Sequence, residues 1–374
     1  MAWIIACVLL GLVYLLGQRY FSREWDKGLQ VRIYCEEERM REGQQQVLIE
    51  EIENNKRLHL PALKVKFATS KFWEFAGEQG GNTTDQYYRN DVFSVGGRER
   101  VRRKLSFVCK KRGYYVLGNL EIFVSDLFYT REYIKKLQQE QWVFVFAKRV
   151  HTQQLENCFR QLLGEWNSNK RVYEDPFLFA GIRDYQRTDS MRRINWKASA
   201  KTGALKSNCY AYTAEQNLRL LVLFEQKNVD WDKNMEEYVL SLAVTLAERF
   251  MQEQIAIGMH SNGVDITYKE PLVGGAGCGS SHMQRMDEGI ARIDLIEGVK
   301  FMQSPEKFLE EHLQENGCNI IITTYQGETL QMKMAEKMEA GYSIHWILPH
   351  YAFEKPKIVD ALQPVVKELL TTLE

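Results

Sequence analysis

The stretch Gly181–Lys201 reads Gly-Ile-Arg-Asp-Tyr-Gln-Arg-Thr-Asp-Ser-Met-Arg-Arg-Ile-Asn-Trp-Lys-Ala-Ser-Ala-Lys. Neither a period of two nor one of 3.6 runs through its apolar residues, so it is not a core element. A segment this polar is ordered only if specific hydrogen bonds and ion pairs hold it. Its Trp and Tyr rings beside four Arg supply the means, because guanidinium groups stack on aromatic faces and pair with carboxylates such as Asp184 and Asp189. Two roles fit: a structural clasp joining two domains, or a binding surface or catalytic cluster. The clasp is the expectation, since structural ion-pair networks imitate sites.

On either side the chain becomes periodic. At 374 residues it has room for two domains and a linker. Lys+Arg and Asp+Glu are both 49, so no global field draws nucleic acid. The apolar share of 45% is ample for buried cores. The seven cysteines are scattered, odd in number and without a C-x-x-C pair, which fits reduced cytosolic thiols.

Met1–Gly17 is almost wholly apolar. As a helix of about 17–20 residues it reaches ~25–30 Å, barely a bilayer core. No basic residues precede the run and no small-x-small site follows it, and a core helix would be unusual at an extreme terminus, so a membrane anchor is expected over a signal peptide and over a buried core helix. Arg19, Arg23 and Lys27 follow closely, which predicts a single pass with the bulk of the chain cytoplasmic.

From Leu29 the period is two. Strands are expected at Leu29–Ile33, Gln46–Glu53, Leu63–Ala68, Gln86–Val95, Glu99–Cys109 and Tyr114–Val124, with Gly and Asn between them, as in a β-sandwich over 29–150. Arg98–Arg112 holds eight cations against Glu99. It reads either as a patch for anionic lipid headgroups or as an edge strand guarded by charge.

The region 151–215 reads as a connector. It opens with an amphipathic helix at His151–Trp166, carries the polar stretch, and ends in a strand at Leu205–Thr213. From 216 to 374 strands and helices alternate. Leu218–Phe224, Ile255–Met259, Val264–Tyr268, Asn319–Thr323 and Ser343–Leu348 read as strands, with Asn262-Gly263 as a tight hairpin turn. Asn234–Gln252, Pro305–Glu315 (capped by Ser304), Glu328–Ala340 and Ile358–Leu373 (kinked near Pro364) read as helices. Alternation of this kind predicts an open, mostly parallel, doubly wound sheet with helices on both faces.

Gly181, Arg183, Tyr185, Asp189, Arg192, Ile194, Trp196, Ser199 and Ala200 match, in register, the pattern G-x-R-x-Y-x-x-G-D-x-x-R-x-I-x-W-x-x-S-A-R. In this the chain resembles the domain-of-unknown-function family 58, bacterial membrane-anchored proteins with no established reaction. Thr188, Asn195 and Lys201 stand where that family has Gly, Asp and Arg. Arg112-Gly113-Tyr114-Tyr115 and Asp126-Leu127-Phe128 sit where it has R-G-x-Y and D-P-F-G, with Leu127 and Tyr129 in place of the Pro and the Gly. The resemblance implies a von Willebrand factor A-like α/β domain and work beside a MoxR-type AAA+ ATPase, in assembly or maturation of complexes.

The metal site familiar in such domains needs D-x-S-x-S after the first strand. Here the run is Glu225-Gln226-Lys227-Asn228-Val229, and Thr323-Thr324 stands where a later Asp would help. Hard cations want carboxylate and hydroxyl oxygens at those places, so no metal is expected. Gly274–Ser281 lacks the Lys of a phosphate-binding loop and reads as a loop. Cys278 with His282 makes a thin ligand pair, Cys278 with His260 a thin nucleophile and base, and His345 and His350 read as core or loop histidines.

The whole reads as a multi-domain α+β protein: transmembrane anchor 1–21, β-sandwich 29–150, connector 151–215, α/β domain 216–374. It is expected to be a non-enzymatic interaction or scaffold protein without cofactor, in which Gly181, Arg183, Tyr185, Asp189, Arg192, Ile194, Trp196 and Ser199 fix domain geometry or present a partner surface. The alternative is a hydrolase or transferase binding an anionic substrate through Arg183, Asp189 and Arg192.

Overall fold

The computed structural model describes residues 2–76, 81–83, 86–170, 174–186, 190–212, 217–225, 232–295, 298–315 and 317–371. They form two compact units, Met1–Lys148 and Arg149–Glu374. The expected connector falls inside the second.

The first unit opens with helix α1 (Ala2–Glu24), long and apolar enough to cross a membrane. Strands follow at β1 (Leu29–Cys35), β2 (Arg39–Arg41), β3 (Gln45–Asn54), β4 (Leu60–Ser70), β5 (Trp73–Phe75), β6 (Gly81–Thr83), β7 (Gln86–Val95), β8 (Glu99–Cys109), β9 (Gly113–Ser125), β10 (Glu132–Leu137) and β11 (Gln141–Phe146). They make a β-sandwich. One sheet runs β1-β3-β8-β5; the other runs β2-β11-β9-β4-β7-β6, with β10 also on β9. Alternation buries one face of each strand in a shared core that includes Leu48, Ile52 and Phe107 from the first sheet and Leu63, Val65, Ile122 and Val124 from the second.

The last turns of α1 belong to that core. Tyr14, Gly17, Gln18, Phe21 and Trp25 recur at helical spacing on one face. Phe21 is 1% exposed, and the Trp25 ring stacks on Tyr133 at 5.5 Å. Buried Gln18 donates through Nε2 to Thr130 Oγ1 (2.6 Å), Asp126 Oδ2 (3.3 Å) and Tyr14 Oη.

Four of the cations in Arg98–Arg112, Arg100, Arg103, Lys104 and Lys110, lie against acids elsewhere in the unit. β8 pairs along its length with β3, while β5 covers only its last three residues. Arg100 reaches Glu51 (3.2 Å) and Glu53 (3.9 Å), Lys104 reaches Glu36 (3.8 Å) and Lys110 reaches Glu74 (3.1 Å). Arg103 bonds Asp91 at 2.8 Å.

Buried Glu50 lies beside that pair, with Arg103 Nε 4.0 Å away and neither carboxylate oxygen accepting a hydrogen bond. Burial first, then the Asp91 charge, pushes its pKa from 4.5 up to about 8, against the pull of Arg103 and Arg89.

The second unit carries α2 (Gln153–Lys170), β12 (Glu174–Asp184), α3 (Trp196–Thr202), β13 (Lys206–Tyr212), β14 (Leu218–Val222), α4 (Lys233–Gln252), β15 (Ile257–Val264), β16 (Pro271–Gly277), α5 (Ser280–Arg292), α6 (Pro305–His312), β17 (Cys318–Ile322), α7 (Glu328–Glu339), β18 (Ser343–Tyr351) and β19 (Val366–Thr371). β12 and β13 form a separate hairpin, and the main sheet runs β16-β15-β14-β17-β18-β19. All its pairings are parallel except β15 with β16. Helices α6 and α7 cover the face bearing Leu221, Leu223, Ile321, Ile344 and Trp346. The alternate residues Leu220, Val222, Ile320 and Ile322 are buried too, as strands covered on both faces require.

Three expectations are corrected. Asn262-Gly263 is no turn: β15 runs straight through it. The Asn262 amide is buried, donating to the Phe224 and Gln303 carbonyls and accepting from the Phe224 N–H at 2.8 Å. A Cβ on Gly263 would lie 2.8 Å from Ile293, so glycine there serves close packing. The turn sits at 265–270, where Asp265 accepts from the Thr267 and Tyr268 amides, and the second strand is β16 rather than Val264–Tyr268. The glycine-rich segment is likewise not simply a loop. Gly274, Gly275 and Gly277 are in β16, and α5 begins at Ser280. The last helix is absent: Asp360–Val365 makes a 3-10 turn and Val366–Thr371 a parallel edge strand. Pro364 has no N–H to extend a helix, and Leu369 and Thr371 are buried where Glu368 and Leu370 are exposed, a period of two.

Two outcomes follow. Phe21→Ala destabilises the sandwich by about 3–5 kcal/mol in denaturant unfolding, as for a core aromatic; an unchanged midpoint shows α1 to be no part of the core. Glu50 holds a proton in the folded state that the unfolded chain releases, so its contribution is whole below about pH 4.5 and is lost as pH rises through about 8. The sandwich's urea midpoint therefore falls over that window, and Glu50→Gln removes about 1–3 kcal/mol of the fall.

Candidate functional site

The signature folds around the β12–β13 hairpin. Arg183 pairs with Ser207 and Asp184 with Lys206. The chain then returns along the other side of β13, where Ile194 bridges the same Ser207. Ser207 and Ile194 are buried by this arrangement. Between them, Met191–Arg193 makes one 3-10 turn capped by Ser190.

Asn195 ends the turn and starts α3. Its Oδ1 accepts from the Ala198 N–H (2.9 Å), its Nδ2 donates to Asn208 Oδ1 (2.7 Å), and its N–H donates to the Lys206 carbonyl (2.8 Å). Buried Ser199 donates to the Asn195 carbonyl (2.8 Å) and accepts from the Lys206 N–H (2.9 Å). Gly203 closes α3 at φ 70°, a left-handed cap that glycine takes without strain. Lys206 Nζ also reaches Asp184 at 2.7 Å. These bonds are all local to the hairpin.

The expected site residues thus separate. Ile194 and Ser199 are buried, and Gly181 and Tyr185 are half-buried on the hairpin. Arg183 and Arg192 are exposed, Arg183 donating to the Asp184 carbonyl at 3.2 Å. Trp196 is 66% and Met191 72% exposed. Asp189 lies outside the described residues, as do Gln226–Val229. Asn195, Lys206 and Asn208 are the members that the sequence reading missed. The signal was there: an Asn before Trp196, a Ser four residues on and a Gly eight residues on make a capped short helix.

At the carboxyl ends of β14 and β17, where doubly wound sheets take ligands, the described groups are engaged with one another. Thr324 Oγ1 donates to the buried Glu236 carboxylate (2.8 Å), and Trp346 Nε1 donates to the Thr323 carbonyl (3.3 Å). No group of three or more His, Cys, Asp or Glu is placed to hold a metal among the described residues.

The scattered histidines have separate partners. His260 packs its ring 5.2 Å from that of His312. Burial, then the Arg219 charge, lowers its pKa to about 4, so it is neutral. Cys278 points at the Met251 carbonyl (3.7 Å), and buried His282 bonds the Ile257 carbonyl (2.8 Å). His345 joins Glu165 at 3.0 Å, and Lys367 meets the same carboxylate at 3.2 Å. His350 meets Glu368 at 3.1 Å.

No family model matches the chain, and no curated protein matches it. Solved structures give low-scoring likenesses. The CARDB domain of a Pyrococcus furiosus protein, determined with di-metal ions, is 17% identical over 31% of this chain and 91% of that one, at TM-score 0.20. A cohesin module of a Clostridium perfringens family 33 glycoside hydrolase is 15% identical over 31% and 96%, at 0.24. A non-cellulosomal cohesin from Archaeoglobus fulgidus is 12% identical over 34% and 97%, at 0.22. Scores this low carry no inference about this chain.

The hairpin's internal bonding gives a clear mutational contrast. Asn195→Ala removes the cap and costs about 1 kcal/mol, seen as faster amide exchange at Lys206 and Asn208. Trp196→Ala leaves exchange and melting temperature unchanged; a destabilised Trp196→Ala protein identifies the ring as structural.

Proposed function

We propose that the chain is a membrane-anchored, non-enzymatic interaction protein of the domain-of-unknown-function family 58, which partners a MoxR-type AAA+ ATPase in assembly or maturation of complexes. One observation carries this reading: a hairpin braced by its own hydrogen bonds holds Trp196 and Met191 outward, with Arg183 and Arg192 exposed on the same segment. Trp and Arg are the side chains on which protein interfaces concentrate their binding energy.

Two further features support it. The end of α1 is built into the sandwich through the Gln18 bonds and the Phe21 core contact, so α1 is read as a retained anchor. Arg19, Arg23 and Lys27 beyond its apolar run put the remaining chain on the cytoplasmic side of the cell membrane. The sheet order β16-β15-β14-β17-β18-β19 is the doubly wound order 3-2-1-4-5-6, which favours a von Willebrand factor A-like second unit. The alternative, an anionic-substrate hydrolase or transferase at Arg183, Asp189 and Arg192, keeps the anion-binding forks but has no nucleophile and base assigned to it.

Full-length protein in detergent retains the MoxR-type ATPase from lysate of a host that has one. Met191→Ala combined with Trp196→Ala lowers retention at least about tenfold. Recovery of no ATPase, or equal recovery by both proteins, overturns the proposal.

A further inference from the structure

The loop between β9 and β10 carries three consecutive large apolar side chains left about half exposed or more. Leu127 is 48%, Phe128 51% and Tyr129 67% exposed. The loop's backbone is nonetheless fixed. Asp126 accepts from the Phe128 N–H (3.2 Å), the Thr130 N–H (2.8 Å) and the Thr130 hydroxyl (2.6 Å), and the Tyr129 N–H closes a turn on the Asp126 carbonyl (3.1 Å). These bonds outweigh burial and hold the Asp126 pKa below the usual carboxylate range. Tyr129 sits at φ 56°, a backbone region that glycine adopts freely and bulky L residues rarely do. A strained, exposed tyrosine on a rigid turn contributes nothing to the sandwich core.

The same loop is the seat of α1. The Phe128 ring lies 5.0 Å from the Tyr14 ring, and a Cβ on Gly17 would meet Phe128 at 3.9 Å. Thr130 and Asp126 receive the Gln18 amide. Loop and helix are therefore level with one another at Tyr14–Gln18. From Trp3 to Gly17 a helix rises only ~22 Å, short of a ~30 Å hydrocarbon core. An apolar run that short spans only if all of it is embedded, which brings Tyr14 and Gly17 to the lipid boundary and Phe128 with them.

We infer that Leu127, Phe128 and Tyr129 enter the membrane interface beside α1, making a second point of lipid contact that fixes the sandwich's orientation on the bilayer. The inference rests on the reading of α1 as an anchor. Aromatic rings and a leucine at headgroup depth suit that environment, and Arg19 and Arg131, both exposed nearby in sequence, suit anionic headgroups.

The test uses the full-length chain in vesicles of phosphatidylcholine and phosphatidylglycerol, with an environment-sensitive fluorescent amino acid at position 128. A control carries it at position 74, which pairs with Val108 at the far end of β8 from Glu99. The expected result is resistance to alkaline carbonate extraction, with quenching by nitroxide-labelled lipid at 128 and not at 74. Leu127→Asp with Tyr129→Asp then lowers quenching at 128 several-fold while extraction resistance stays. Resistance to extraction with position 128 quenched only by aqueous iodide overturns the loop inference and leaves the anchor standing. Release by carbonate overturns the anchor reading, and the inference with it.

Discussion

The amide of Gln18 is the joint on which the first unit depends. A helix whose outer faces are apolar must do something with a glutamine in the second turn from its end. Here the side chain is buried and donates toward Tyr14, Asp126 and Thr130. Leaving a buried donor or acceptor of this kind unmatched costs about 1–3 kcal/mol. Asp126 and Thr130 in turn hold the backbone of the loop beneath, so one network sets the helix, the turn and the adjoining ends of β9 and β10. Phe21 and Trp25 then extend the contact into apolar packing against Tyr133.

Much of the fold was legible because burial writes a period into the sequence. Gln86–Val95 and Glu99–Cys109 were bounded as the structure has them, and Leu218–Phe224, Asn234–Gln252 and Asn319–Thr323 differ only at their ends. Two of the failures share a cause, a local signal overridden by packing against another part of the chain, whereas the last helix fails locally, at Pro364. Asn262-Gly263 reads as a hairpin, yet Asn262 is spent on Phe224 and Gln303, and Gly263 makes room for Ile293 and Phe224. Gly274 faces the Met259 backbone and Gly277 the His282 ring so closely that a Cβ on either would crowd them, which is why an edge strand there looks like a linker. The short strands β2, β5 and β6 have only three residues each, too few for a period to show.

The signature was half legible. Its residue types announced specific bonding, and the structure supplies it through Asn195, Ser199 and Lys206. Which residues would face outward could not be read, because that depends on β13 lying between the two passes of the signature. Trp196 begins a helix of seven residues, too short for its apolar positions to define a face. The basic run Arg98–Arg112 was legible as charge but not as pairing. Its charge was obvious, but the acids that answer it, Glu51 and Glu53 on β3, Glu74 on β5, Asp91 on β7 and Glu36 after β1, are distant in sequence, and only the strand register reveals the match.

Gly17 has a mechanical consequence. Because Tyr14 and Gly17 on that face meet Phe128, Gln18 bonds Asp126 and Thr130, and Phe21 is buried, α1 cannot roll about its axis without breaking those contacts. The helix is keyed to the sandwich as a spoke is keyed to a hub. Rotation or bending imposed on it is delivered to the β9–β10 turn as torque, where a flexible leash would have dissipated it.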